Sequence, residues 1–167
     1  MNIFVAGMPG CGKSKLVEQL IFELKKRGKN IAGIITPEVR RDSRQGFEII
    51  DIATGSKEIL ASVDIKGPKV SKYHINIAGI EKIVEIFEKS LPAAEIIFID
   101  EIGKMEMYSE KFKTMLARLL VSNKIVVATL HRTFVKKYKS NGKLFWLERG
   151  KLEEVKAALL EEIQKYE

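Results

Sequence analysis

Residues Gly7 to Ser14 read GMPGCGKS and satisfy G-x-x-x-x-G-K-[ST] at every fixed position. At that spacing backbone N–H groups wrap a phosphate while a lysine reaches the β and γ oxygens of a triphosphate. Gly7, Gly10 and Gly12 allow backbone angles that a Cβ would forbid, and Met8, Pro9 and Cys11 fill the positions between them. In this reading Lys13 meets the phosphates and Ser14 offers a hydroxyl to Mg2+. A second chemically apt pair stands where the apolar run Ile96 to Ile99 ends in Asp100 and Glu101. Ligands of an open parallel sheet gather beyond the carboxyl ends of its strands, so this pair is expected on the edge where the glycine loop emerges. Asp100 is then placed to hold Mg2+ through water, opposite Ser14. Glu101 is placed to orient or deprotonate a water in line with the γ-phosphorus.

Other residues carry weaker signals. Asp100 to Gly103 also spells D-x-x-G, by which a glycine amide can read a γ-phosphate, but no Asn-Lys-x-Asp element follows a strand, so base selectivity is expected to be loose. Thr129, His131 and Arg132 follow an apolar run on the same expected edge, where they are candidates to sense the γ-phosphate or neutralise developing charge. Arg40, Arg41 and Arg44 are candidates for a lid over the phosphates, with a solvated loop as the alternative. Lys136, Lys137, Tyr138 and Lys139 have the composition of a nucleic-acid patch, but a single aromatic favours a short solvated helix. Cys11 lies near a helix N-terminus, where a thiolate is favoured; alkylation there is expected to inhibit and nucleotide to protect.

Hydrophobic spacing supplies the elements that position these groups. An apolar strand, Asn2 to Ala6, feeds the glycine loop; Leu16, Val17, Leu20, Ile21 and Leu24 then mark a helix over Lys13 to Arg27, with Gly28 as its stop. Ile31 to Ile35 reads as a buried strand ending in a turn at Thr36-Pro37. Phe47 to Ile52 and Lys57 to Ala61, joined across Thr54-Gly55, predict a hairpin inserted into an otherwise alternating pattern. Pro68 to Asn76 reads as loop. Ile80 to Leu91 and Phe112 to Leu120 predict helices, the first stopped by Pro92. Ile125 to Thr129 and Leu144 to Leu147 predict strands, with Trp146 in the core, and Leu152 to Ile163 a closing helix. Strand and helix alternate, so the fold is expected to be α/β with a largely parallel sheet.

At 167 residues and 46% hydrophobic the chain can bury one sizeable core, and a single domain, 1–167, is expected. No long uncharged apolar run is present, so no membrane span is expected. One cysteine excludes an intrachain disulfide and any Cys-cluster metal site, which suits a cytoplasmic location. The net charge of +7 favours polyanionic partners; a nucleoside triphosphate already qualifies, and nucleic acid is not required.

Four stretches together resemble the THEP1-type nucleoside-triphosphatases: GMPGCGKS at Gly7, TPEVRRDSRQGFEIID at Thr36, SKYHINIAGIEKI at Ser71 and IIFIDEIGKME at Ile96. The first is common to all P-loop proteins, whereas DEIGKME after an apolar strand is far more specific. The resemblance implies a P-loop three-layer sandwich of the glutamate-bearing class, with a mostly parallel sheet and helices on both faces. It also implies Mg2+-dependent hydrolysis of ATP, GTP and other nucleoside triphosphates, CTP and UTP included, to diphosphate and phosphate. Glu101 falls at the family's general base, and nucleotide contacts fall around DEIGKME. Two positions depart from the family pattern: Ser14-Lys15, where relatives often carry two threonines, and Glu148-Arg149, where an Asn-Arg pair is common. Two rival readings remain: a small kinase with an acceptor held by the hairpin, and a nucleotide-dependent switch associated with RNA. The residues say nothing of oligomeric state.

Overall fold

The computed structural model describes residues 1–41 and 44–167; the side chains of Arg41 and Arg44 lie outside that description. In chain order the strands and helices are β1 (Asn2–Ala6), α1 (Lys13–Lys26), β2 (Ile31–Ile35), β3 (Glu38–Arg41), β4 (Arg44–Asp51), β5 (Lys57–Ser62), β6 (Lys69–Val70), β7 (Tyr73–Ile75) and α2 (Ile77–Ser90). They continue with β8 (Ile96–Ile102), α3 (Glu110–Leu120), β9 (Ile125–Leu130), α4 (Val135–Tyr138), β10 (Lys143–Trp146) and α5 (Leu152–Gln164).

All ten strands join one sheet in the order β10-β1-β9-β8-β2-β4-β5-β7-β6, with β3 paired to β4. From β10 to β2 every pairing is parallel; beyond β2 every pairing is antiparallel. Alternation along the parallel strands splits the core into two layers. Ile3, Val5, Ile96, Phe98 and Val127 face α1 and α5 through Leu16, Leu20, Leu159 and Ile163. Phe4, Ile97, Ile99, Val126 and Ala128 face α2 and α3 through Ile80, Phe87, Phe112 and Met115. Burial on both faces is why these strands read as unbroken apolar runs. The expected α/β sandwich is therefore present, and its antiparallel part is larger than a hairpin.

Three local expectations are corrected. The stretch read as loop, Pro68 to Asn76, contains β6 and β7, which pair with each other and extend β5. Trp146, expected in the core, is 47% exposed. It sits at the end of β10, the terminal strand of the sheet, so β1 flanks it on one side only. Tyr138, considered as a nucleic-acid contact, is buried in α4, its ring tilted against Phe4 and Phe134. Only the lysines of that patch face solvent, as the short-helix reading expects. No helix among the described residues is long and apolar enough to cross a membrane.

Candidate functional site

The glycine loop links β1 to α1 at the carboxyl edge of the parallel strands. Gly10 and Gly12 take positive φ, 76° and 107°, and Gly12 caps α1, so the loop's amides converge on the positive end of the helix dipole. Gly7 is fixed by crowding: a Cβ there would lie 2.5 Å from the Leu147 carbonyl oxygen and 2.6 Å from Cys11 Sγ. Lys13 Nζ donates to the Gly7 carbonyl at 3.0 Å, and Cys11 N–H to the Met8 carbonyl at 3.1 Å, which closes the loop on itself. Gly10, Gly12, Lys13 and Ser14 line the adjoining cleft; Gly7, Met8 and Cys11 shape the loop from behind.

β9 lies between β1 and β8. At the end of β8 its register with β9 shifts: Ile99 pairs with Ala128 and Ile102 with Leu130, so Asp100 and Glu101 together oppose Thr129. Successive residues of a regular strand point to opposite faces, whereas a bulge re-aims one of them. This is how neighbouring carboxylates both come to line one cleft. Asp100 is 7% exposed; Thr129 Oγ1 donates to its Oδ1 at 2.5 Å, and the Ser14 hydroxyl is close enough to the same carboxyl to favour its charged form. Burial pushes its pKa up, opposed by those hydroxyls and by Lys13. Burial, with Asp100 beside it, pushes Glu101 up to about 7, again opposed by Lys13. Thr129 thus meets the carboxylate, not the cleft: it is fully buried and absent from the lining.

The sequence reading missed two residues. Thr36, taken as part of a turn, joins three groups: its Oγ1 lies 2.9 Å from the Asp100 carbonyl oxygen, 3.0 Å from Glu106 Oε1 and 3.3 Å from Glu101 N. A hydroxyl has one hydrogen and two acceptor sites. The Asp100 carbonyl already receives the Thr36 N–H at 2.7 Å, so the hydroxyl hydrogen is free for Glu106 while the oxygen receives the Glu101 N–H. Burial pushes Glu106 up to about 8, with Glu101 and Asp100 adding to the rise and the Thr36 hydroxyl opposing it. Glu106 follows a turn after β8, where no strand pattern marks it; the signal was the last carboxylate of DEIGKME.

The remaining candidates divide. His131 lines the cleft and caps the turn Arg132–Phe134, its Nδ1 accepting from the Thr133 amide and hydroxyl, which leaves the ring proton on Nε2. Partial burial and the cations Lys104, Arg132 and Lys13 lower its pKa. Arg132 is exposed and does not line the cleft. Arg40 is exposed and its Nε donates to Glu38 at 3.0 Å instead of reaching the phosphate loop; the expectation for the Arg41 and Arg44 side chains lies outside the described residues.

The cleft has a volume of about 650 Å³ and two dissimilar ends. One is the cationic, amide-lined loop with Asp100 and Glu101. The other is walled by Pro37, Phe47, Leu60, Val70 and Met105. Among the described residues no group of three or more His, Cys, Asp or Glu side chains forms a metal cage. One hydroxyl and one buried carboxylate facing a phosphate loop are hard oxygen donors of the kind Mg2+ accepts beside phosphates and water, so the residues fit that ion.

Residues 2–163 match the model of a family described as NTPase. The Nucleoside-triphosphatase THEP1 of Pyrococcus abyssi is 39% identical over 99% of this chain and 93% of its own. That of Methanocaldococcus jannaschii is 40% identical over 88% of each. The crystal structure of THEP1 from Aquifex aeolicus superposes with a TM-score of 0.75 at 31% identity, covering 95% of this chain and 99% of that one. The solution structure of a human cancer-related nucleoside triphosphatase shares the fold, with a TM-score of 0.77 at 22% identity over 98% and 97%. The chain belongs to this NTPase family, the THEP1-type nucleoside-triphosphatases.

Proposed function

We infer that the chain, acting as a single domain, is a nucleoside-triphosphate phosphohydrolase that depends on Mg2+ and tolerates any common base. The observation that carries this is the meeting of two distant segments: Ser14 after the glycine loop and Asp100 at the end of β8 line one cleft, the Ser14 hydroxyl close enough to lower the Asp100 pKa, with Glu101 beside them. The loop amides and Lys13 bind the triphosphate. Ser14 and Asp100 are the groups that would hold Mg2+, which when bound neutralises charge on the phosphates. Glu101 orients a water at the γ-phosphorus and takes its proton; its raised pKa makes it a better base than an ordinary surface carboxylate. Thr129 holds the Asp100 carboxylate, and Thr36 holds the Glu101 backbone by receiving its N–H. Beyond this proton transfer, positioning and electrostatics account for the rate enhancement, as is usual in phosphoryl transfer.

Base tolerance is supported by the chemistry of the loop, which recognises phosphate through backbone amides that are blind to the base. Phosphate release measured across ATP, GTP, CTP and UTP, with and without Mg2+, tests the reading. Comparable release from all four, abolished by chelation, is the expected result. Release confined to one base, or unaffected by chelation, overturns the corresponding half.

A further inference from the structure

Hydrolysis needs room for a nucleoside triphosphate and one water, and a water occupies only about 30 Å³. The cleft offers about 650 Å³, a size that takes drug-like molecules. Its distal end is lined with Phe47, Leu60, Val70 and Met105. Phosphate oxygens pressed against such walls would lose water without gaining donors, so the phosphate chain has no use for that end.

The distal wall is built, not incidental. The register of β4 with β5 shifts at Phe47 and Glu48: Phe47 pairs with Ala61 and Glu48 with Ile59, leaving Leu60 as the extra residue of a bulge. Leu60 is thereby turned into the wall while remaining 1% exposed. Phe47 is braced edge-on by Tyr73, ring centroids 5.1 Å apart, and presents a flat apolar surface. Beside this wall stand Thr36 and Glu106, which can hydrogen-bond a hydroxyl, and the carboxylate of Glu38, which repels a second anion. Both ends belong to one cleft, and Glu101 is among its lining residues.

We propose that the Phe47–Leu60–Val70–Met105 end is a second substrate site, for a neutral heteroaromatic molecule bearing a hydroxymethyl group, which accepts the γ-phosphoryl group in place of water. This rests on the reading of the phosphate loop and Glu101 given above. The acceptor hydroxyl oxygen bonds to the γ-phosphorus and its proton passes to the Glu101 carboxylate. The bond from that phosphorus to the β,γ-bridging oxygen breaks, and the electron pair leaves with the nucleoside diphosphate. The products are the diphosphate and a phosphomonoester of the acceptor; Glu101 returns its proton to solvent.

The test uses the full chain with Mg2+ and ATP labelled at the γ-phosphate. One arm adds the four ribonucleosides, a second 3-hydroxymethylpyridine, which carries the ring and hydroxyl without ribose, and a third AMP and UMP as anionic acceptors. Saturable transfer of label to a neutral probe is expected, and Val70→Trp, which fills the distal end, lowers the ratio of transferred to released label at least tenfold. Should Val70→Trp fail to fold by circular dichroism, Phe47→Leu removes the flat ring and lowers the same ratio. Label appearing only in free phosphate for every neutral probe, only on the monophosphates, or in a ratio untouched by the folded variants overturns the proposal. Phosphate release without any acceptor is scored separately: its presence without transfer leaves the hydrolase reading standing, and its absence sinks that reading.

Discussion

The two halves of the sheet differ in kind. The parallel half, β10 to β2, is buried on both faces, and its carboxyl edge carries Lys13, Ser14, Asp100 and Glu101. Among the described residues the antiparallel half lines the cleft with Glu38 and with Phe47, Leu60 and Val70, which form an apolar surface. A parallel sheet brings loops from remote parts of the chain to one edge, which suits assembling a reaction centre. Antiparallel strands with short turns can be added without disturbing that edge, and so suit the selection of what enters.

If chemistry resides in the parallel half, Glu101→Gln is the largest break: phosphate release falls about 10²- to 10⁴-fold while calorimetry still detects nucleotide binding. In the unsubstituted protein kcat/KM rises as pH climbs through about 7, because Glu101 must ionise to act, and the variant loses this limb. Collapse of binding together with release would instead give Glu101 a structural role.

Next in size is Thr129→Val, which deprives the buried Asp100 of a charge-assisted bond and lowers stability by about 1–3 kcal/mol in urea unfolding. Phosphate release falls with it. A stable, fully active variant would mean that the Thr129 bond is not what holds Asp100 in place.

At the junction of the halves, Glu106→Gln sharpens the comparison through pH. Glu106 ionises near 4.5 in the unfolded chain but only near 8 in the fold, so between those values the folded state binds more protons. Its contribution is complete below 4.5, is lost as pH rises toward about 8, and changes no further above that. Gln mimics the neutral acid, so the variant is more stable than the parent at pH 8 and above, by on the order of a few kcal/mol, and its melting temperature drops less between pH 5 and 9. Equal pH profiles would show Glu106 ionised in the fold. The smallest effect is expected at the opposite sheet edge: Trp146→Ser, at an exposed site, changes stability by no more than about 0.5 kcal/mol.

The parallel half was legible because burial on both faces leaves its strands as continuous apolar runs, and because the loop chemistry is tied to a fixed spacing. β6 and β7 were not, since a strand as short as Lys69–Val70 has too few residues for alternation to show. Trp146 misled because sequence shows an apolar strand but not that it ends the sheet. Asp100 and Glu101 were found as neighbours, yet simple alternation would have sent one of them to the far face; the bulge opposite Thr129 depends on two strands and cannot be read from one. Thr36 and Glu106 were hidden for the same reason: a hydroxyl and a carboxyl separated by 70 positions make sense only once they touch.

Thr36 closes β2 just before Pro37 and β3 lead into the antiparallel half, and it grips the backbone of both catalytic-edge carboxylates. Were the insertion to turn about that joint, the displacement would reach Asp100 and Glu101 through Thr36.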